Sequence, residues 1–233
     1  PYLLPSMRSG ARIGHQQAID HMFLDGLEDA YDKGRLMGTF AEDCAEAFQF
    51  TREAQDEYAL KSLSNALEAE KNGAFDGEIA AVMLSTRGGD VVVSTDEQPA
   101  KARPEKIPTL KPAFRKDGTV TAANASGIND GAAATILMRA SEATKRGLTP
   151  LATIKSWATA GVDPSVMGTG PIPASKAALS KAGWSVSDLD LVESNEAFAA
   201  QACCVMAEMG FDADKTNVNG GAIALGHPIG ASG

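Results

Sequence analysis

The 233-residue chain has few cysteines, fewer cations than anions and no long apolar run. Its three cysteines, Cys44, Cys203 and Cys204, do not suggest the disulfide framework of a secreted domain. The formal net charge of -9 argues against a nucleic-acid surface, because binding phosphates requires clustered Lys and Arg. No stretch approaches the roughly 20 apolar residues that a membrane-spanning helix needs. We therefore expect a cytoplasmic protein with no nucleic-acid partner and no membrane span.

The first third of the chain is predicted to be a loop followed by two helices. Residues 1–24 are punctuated by Gly and Pro, which predicts an extended loop. Thr39 and Glu42 have the spacing of a capping box, so a helix is expected from there to about residue 50. Apolar residues at helical spacing predict a second helix from Thr51, and Gly73 is placed to end it.

Strands and helices are predicted to alternate along the rest of the chain. Hydrophobic content of 44% and charged content of 22% are ordinary for a globular protein. Alternation of strand with helix is typical of an α/β layer structure. The predicted strands are 91–94, 132–138, 152–158 and 189–192, and the predicted helices are 141–146, 176–181 and 196–209.

A glycine-dense segment near the end of the chain carries one histidine, His227. Residues 217–233 read Asn-Val-Asn-Gly-Gly-Ala-Ile-Ala-Leu-Gly-His-Pro-Ile-Gly-Ala-Ser-Gly, a pattern that predicts a turn leading into a helix. Glycine allows the backbone to come close to a ligand. An imidazole at such a place can donate a hydrogen bond or accept a proton near neutral pH. The segment is therefore a candidate for a catalytic site.

A second candidate segment, Asn-Glu-Ala-Phe-Ala at 195–199, stands where the predicted strand 189–192 meets its helix. Ligands of α/β sheets bind beyond the carboxyl ends of the strands. Asn195 at that point can fix a water or an oxygen, and the helix N-terminus favours developing negative charge. On spacing alone, the simpler interpretation is that Asn195 is a helix N-cap, since Asn is among the best caps.

Together these segments resemble two signatures of the thiolases, which make or cleave β-ketoacyl-CoA thioesters. The resemblance implies that His227 and a water held by Asn195 line an oxyanion hole. By the same resemblance, this oxyanion hole would stabilise the enolate that forms at the α-carbon of acetyl-CoA. It further implies a Claisen condensation of two acetyl-CoA to acetoacetyl-CoA and CoA, or the reverse thiolysis. No cofactor is expected beyond coenzyme A itself, which enters and leaves as the acyl carrier.

The resemblance also implies contacts with acyl-CoA and CoA at other positions. Ser126 falls at the serine that contacts the pantetheine arm, although Ser-Gly is ordinary turn chemistry as well. Met37 and Met167 fall at residues lining a short acyl pocket, although Met is more often a core residue. Leu36 stands where many short-chain thiolases carry a histidine, and Lys111, often an arginine, could equally be a solvated surface lysine. The remaining implied contacts are Lys111, Phe114, Ala197 and Phe198.

The nucleophile of this chemistry is not found in the sequence. Thiolases use one cysteine in the N-terminal half and another in a Cys-x-Gly motif, and none of the three cysteines stands in either context. Acyl transfer by this mechanism needs a thiolate to carry the acetyl group. We therefore expect an internal piece of a longer subunit, inactive as a thiolase by itself.

The implied fold is a thiolase-like layered α/β/α fold, incomplete, with an inserted loop domain. Residues 1–128 are assigned to the loop domain, residues 129–150 to the end of the N-terminal thiolase half and residues 151–233 to a truncated C-terminal half. The counterpart of residues 1–24 in bacterial-type thiolases pairs dimers into tetramers. A homo-oligomer, a dimer of dimers, is therefore expected.

Functions of other classes are less consistent with these residues. A non-catalytic thiolase-like protein that binds CoA or lipid is the alternative, but a pure binder has no need of the oxyanion hole that Asn195 and His227 imply. A β-ketoacyl synthase would typically carry a second histidine where Asn195 stands. A hydratase or dehydrogenase would lack the Gly-His-Pro run.

Overall fold

The computed structural model describes residues 1–232, in which helices form most of the regular structure. The helices are α1 Met37–Ala47, α2 Arg52–Lys71, α3 Glu97–Lys101, α4 Ala140–Lys145, α5 Pro171–Ala182, α6 Ala199–Met209 and α7 Ala222–Leu225. The strands are β1 Tyr2–Leu3, β2 Ile19–Asp20, β3 Val82–Thr86 and β4 Gly89–Val93. Within residues 1–232, none of the helices has the length and apolar character needed to traverse a bilayer.

The four strands form two separate antiparallel pairs. The predicted strand at 91–94 is confirmed as β4, and it pairs with β3, which was not predicted. Residues 1–24 are not entirely irregular, because β1 pairs with β2 there.

The N-terminus of α1 differs from the predicted one. The helix begins at Met37, after Leu36, and no side chain caps it. Thr39 lies inside the first turn, where its hydroxyl donates to the Leu36 carbonyl at 2.7 Å. The predicted capping box is therefore wrong, since Thr39 is bonded within the helix instead of accepting from a backbone N–H at its start.

The ends of α2 follow from its sequence. Thr51 is the N-cap, and its hydroxyl accepts from the backbone N–H of Ala54 at 3.2 Å. Asn72 ends the helix, and Gly73 follows with a φ of +70° in the left-handed region that favours glycine. Both predicted boundaries of this helix are confirmed.

Three predicted strands do not form in the part of the chain that the structure describes. Residues 132–138 and 152–158 have no regular structure, and within 189–192 only Val192 makes a bridge, to Thr216. Their apolar side chains are largely exposed, with Ile136 at 87% and Trp157 at 70%. A strand is defined by its neighbour's hydrogen bonds, so the apolar pattern alone does not produce one.

The main core surrounds α6, which is apolar on most of its circumference and is therefore buried. This helix packs against α1, α2 and α5. Predicted helix 196–209 is confirmed, although it begins three residues later at Ala199. The buried residues of this core are Cys44, Ile172, Cys204, Val205 and Met209.

Candidate active site

One extended segment joins the two candidate motifs, and its first contact is with the Asn-Glu-Ala-Phe run. Ala125 forms an antiparallel bridge with Phe198. The backbone N–H of Ser126 donates to the carbonyl of Ala197 at 3.0 Å. Ser126, Ala197 and Phe198, all predicted to contact substrate, are thus held together by backbone hydrogen bonds.

The same segment continues to His227. Ile128 forms a parallel bridge with His227, and the backbone N–H of His227 donates to the carbonyl of Gly127 at 2.9 Å. Ser126 therefore lies on one extended segment between two isolated β-bridges, one to each motif. This arrangement brings together residues separated by about a hundred positions in the sequence.

The imidazole of His227 is half-buried, and burial lowers its pKa below the ordinary value. The neutral ring is therefore favoured at neutral pH. Its Nδ1 atom is buried and has no hydrogen-bond partner among residues 1–232. A neutral imidazole can donate one hydrogen bond and accept another, which suits contact with a substrate oxygen.

Asn195 does not cap a helix. The N-cap of α6 is Phe198, three residues further along, so the N-cap interpretation of Asn195 is wrong. The side chain of Asn195 is exposed, and no side chain caps the N-terminus of α6. Convergence of Asn195 and His227 on one ligand oxygen stays a prediction.

Glu196, which the sequence reasoning passed over, is the most extensively bonded side chain near the motifs. It is 1% exposed, and its carboxylate accepts hydrogen bonds from Tyr58, Ser62, Asn217 and the backbone N–H of Ile223. The available signal was a carboxylate placed between a motif asparagine and a strongly apolar helix, where an acidic residue is rare unless it is paired.

Aromatic rings lie beside the predicted acyl-pocket residues. The rings of Phe114 and Phe198 make an edge-to-face contact with centroids 6.1 Å apart. The ring of Phe114 also packs on the α1 backbone at Gly38, next to Met37. Helix α1 in turn contacts the 3₁₀ segment Pro164–Thr169, which carries Met167 with 45% of its surface exposed.

A cavity of about 350 Å³ opens between α2, α3 and α7, and three cationic residues line it. The predicted nucleotide contact Lys111 is exposed and is not among the lining residues. The cavity wall also includes Ala123 and Ala224, each three residues before a motif residue, Ser126 and His227 respectively. Sequence reasoning missed the three cationic residues because they belong to no motif. They are Lys101, Arg103 and Lys106.

The three thiols are poorly suited to nucleophilic attack. Burial raises the pKa of Cys203 to about 11, that of Cys204 to about 12 and that of Cys44 above its ordinary value. The thiolate is the reactive form, so these groups remain protonated and unreactive at neutral pH. Cys203 and Cys204 are packing residues, as their place on an apolar helix indicated.

Comparison with known families agrees with this geometry. The profile of the family described as "Thiolase, N-terminal domain" matches residues 1–141, and that described as "Thiolase, C-terminal domain" matches residues 148–233. The chain belongs to the thiolase family. The predicted domain boundaries after residues 128 and 150 stay predictions.

Similar thiolases cover the whole of this chain. It is 58% identical over 228 residues to the acetyl-CoA acetyltransferase of Rhizobium meliloti, covering 97% of this chain and 58% of that relative. It is 57% identical over 235 residues to that of Cupriavidus necator, covering 100% and 60%. The crystal structure of the Bacillus anthracis acetyl-CoA acetyltransferase superposes with a TM-score of 0.91 at 48% identity, covering 99% of this chain and 58% of that one. The predicted thiolase fold is therefore confirmed, and the chain spans somewhat over half of the length of these thiolases.

Proposed function

We propose that the whole protein is an acyltransferase that condenses two acetyl-CoA to acetoacetyl-CoA and CoA, or catalyses the reverse thiolysis. The observation that carries the proposal is the pair of β-bridges on either side of Ser126, one to the Phe198 segment and one to His227. The names of the relatives support the same reaction. Asn195 and His227 are proposed to stabilise the enolate oxygen of the substrate, a contribution of about 10²–10³ in rate per donor.

Coenzyme A is proposed as the acyl carrier, and no other cofactor is required. The cationic cavity supports this proposal, because Lys101, Arg103 and Lys106 can bind the phosphates of the nucleotide. The pantetheine arm would then run from this cavity towards Ser126. Met37 and Met167, beside the rings of Phe114 and Phe198, are proposed to limit the acyl chain to a short one.

The direct test is an assay of the purified whole protein with acetoacetyl-CoA and CoA. Loss of the ketoacyl thioester should be accompanied by formation of two equivalents of acetyl-CoA. The non-catalytic alternative instead predicts that CoA binds, as measured by calorimetry, with no turnover. Binding without turnover would therefore overturn the proposed function in favour of that alternative.

The cationic cavity makes its own prediction about affinity. Replacing Arg103 and Lys106 together by alanine should raise the KM for CoA about tenfold or more, because charge-assisted contacts with phosphate are lost. The kcat should change little, since a contact with the nucleotide phosphates is made equally in the ground state and in the transition state. Lys176→Ala, an exposed lysine on α5, is the matched control. Equal effects of the two changes on KM would contradict the assignment of this cavity to coenzyme A.

We further propose that the whole protein is a homo-oligomer, a dimer of dimers, with residues 1–24 making contacts between subunits. The support is the β1–β2 pair, around which Tyr2, Leu4 and Ile13 are exposed. Sedimentation that shows a monomer would contradict this. A cytoplasmic location stays a prediction that rests on the three free cysteines.

A further inference from the structure

We infer that Glu196 is a positioning residue that holds the Asn195 segment and the His227 turn in the relative placement that acyl transfer needs. The inference rests on the proposed function. It concerns a side chain that would touch neither substrate nor CoA and would act through its hydrogen bonds alone.

The two oxygens of the Glu196 carboxylate are bonded to different parts of the molecule. Oε1 accepts from the Tyr58 hydroxyl at 3.2 Å and from Asn217 Nδ2 at 2.7 Å. Oε2 accepts from the Ser62 hydroxyl at 2.7 Å and from the backbone N–H of Ile223 at 3.1 Å. One carboxylate thus connects α2, the loop before α7 and α7 itself.

Two of these contacts, those with Ile223 and Asn217, lead to a motif residue. Ile223 belongs to α7, which ends two residues before His227. Asn217 is clamped to Ser194, since its Oδ1 accepts from the Ser194 N–H at 2.8 Å and its Nδ2 donates to the Ser194 carbonyl at 2.8 Å. Ser194 and Glu196 flank Asn195 in the chain. A movement of the carboxylate would therefore displace both motifs.

Burying a carboxylate at this position is unfavourable in free energy unless its four accepted hydrogen bonds offset the loss of hydration. Glu196 is 1% exposed, and within residues 1–232 no cation forms an ion pair with it. Burying a charge is unfavourable unless hydrogen bonds replace its hydration. A carboxylate offers acceptor sites on both of its oxygens to all of these donors, which an amide of the same shape does not.

The isosteric change Glu196→Gln isolates this role. The hydroxyls of Tyr58 and Ser62 can reverse and accept, but Asn217 Nδ2 and the Ile223 N–H can only donate. They face different oxygens of the carboxylate. Whichever oxygen becomes the amide nitrogen, one obligate donor meets another donor, and one of the two segments must move.

A second variant displaces the Glu196 side chain without changing its carboxylate. A Cβ atom at Gly221 would collide with the carboxyl carbon of Glu196, so Gly221→Ala should displace the side chain. Glu42→Gln is the matched control. Glu42 is also buried, at 4% exposed, and accepts from the backbone N–H groups of Thr119 and Val120, away from both motifs.

The whole protein and its three variants are to be compared by steady-state thiolysis and by thermal melting. Glu196→Gln and Gly221→Ala should lower kcat about 10²-fold, the cost of a displacement near 1 Å, and leave the KM for CoA within about threefold. Glu42→Gln should keep its kcat within about twofold, even if its Tm falls by as much as the Tm of Glu196→Gln. An unchanged kcat in Glu196→Gln, or an equal loss in Glu42→Gln, would overturn the inference.

The inference can be separated from the proposed function. If the wild-type protein shows no turnover, the proposed function fails, and crystal structures of the wild type and of Glu196→Gln then decide the positioning role. The expected result is a shift of the Asn195 segment relative to His227 in the variant. An unchanged relative placement would show that Glu196 does not position these residues.

Discussion

Replacing His227 by alanine in the whole protein is expected to lower kcat about 10²–10³-fold, with little change in the KM for the CoA ester. A hydrogen-bond donor to the enolate oxygen acts mainly in the transition state, because the negative charge on that oxygen develops there. The measurement is steady-state thiolysis of acetoacetyl-CoA. His15→Ala, at an exposed position outside both motifs, is the control and should leave the rate unchanged. An unaltered kcat in His227→Ala would remove the residue from the mechanism.

The pH dependence of the same reaction follows from the buried imidazole. Because burial lowers the pKa of His227, the folded protein should keep the neutral ring below the ordinary histidine pKa of about 6.5. Activity that needs the neutral ring is then retained at mildly acidic pH and is lost only as pH falls through the lowered pKa. The stability of the fold is lost at higher pH than the activity: it falls from about pH 6.5 down to the lowered pKa, because over that interval the unfolded chain binds a proton that the folded chain does not. A rate that already falls above pH 6.5 through His227 would contradict this.

The 233 residues purified by themselves are expected to show no thiolase turnover. Acyl transfer of this type needs a thiolate, and burial keeps Cys44, Cys203 and Cys204 protonated at neutral pH. Incubation with acetoacetyl-CoA and CoA, followed by the loss of the ketoacyl thioester, is the measurement. Iodoacetamide at pH 8 provides the control, since it should alkylate these thiols only after denaturation. Turnover above background would mean that one of the three cysteines is a nucleophile.

The isolated chain is also expected to aggregate. Ile136, Leu151 and Trp157 project from segments with no regular structure, and each is exposed over at least 70% of its surface. Exposed apolar patches of this kind promote association between copies. Light scattering that rises with protein concentration is the expected observation, and a stable monomer at high concentration would contradict it.

Those parts of the fold that depend on local sequence could be predicted. Helix α2 was found because its cap, its apolar spacing and Gly73 are contained within one continuous segment. The predicted strand at 132–138 does not form, since an apolar run becomes a strand only when another segment pairs with it. The spacing of Thr39 and Glu42 predicts a capping box, but the structure shows that the Thr39 hydroxyl donates within the helix instead.

For the candidate site, sequence reasoning found the segments but missed the connections between them. The motifs indicate His227, Phe198 and Ser126, but the two β-bridges that join them depend on backbone pairing over long sequence distances. Glu196 was overlooked for the same reason, because its partners Tyr58 and Ser62 lie 138 and 134 positions away. The cationic cavity combines residues from segments that carry no motif. Burial and hydrogen bonding at such distances are properties of the folded chain.

The bonds from α2 to Glu196 also determine where this molecule can be divided. Residues 1–128, assigned to the loop domain, include α2, so a chimera that exchanges this region between two thiolases would exchange Tyr58 and Ser62 but leave Glu196 and Ile223 behind. In the recombined protein, the hydroxyls at positions 58 and 62 from one thiolase would have to form hydrogen bonds with the Glu196 carboxylate of the other. A graft intended to change only how subunits associate should therefore end before Arg52, so that α2 stays with the segments it holds.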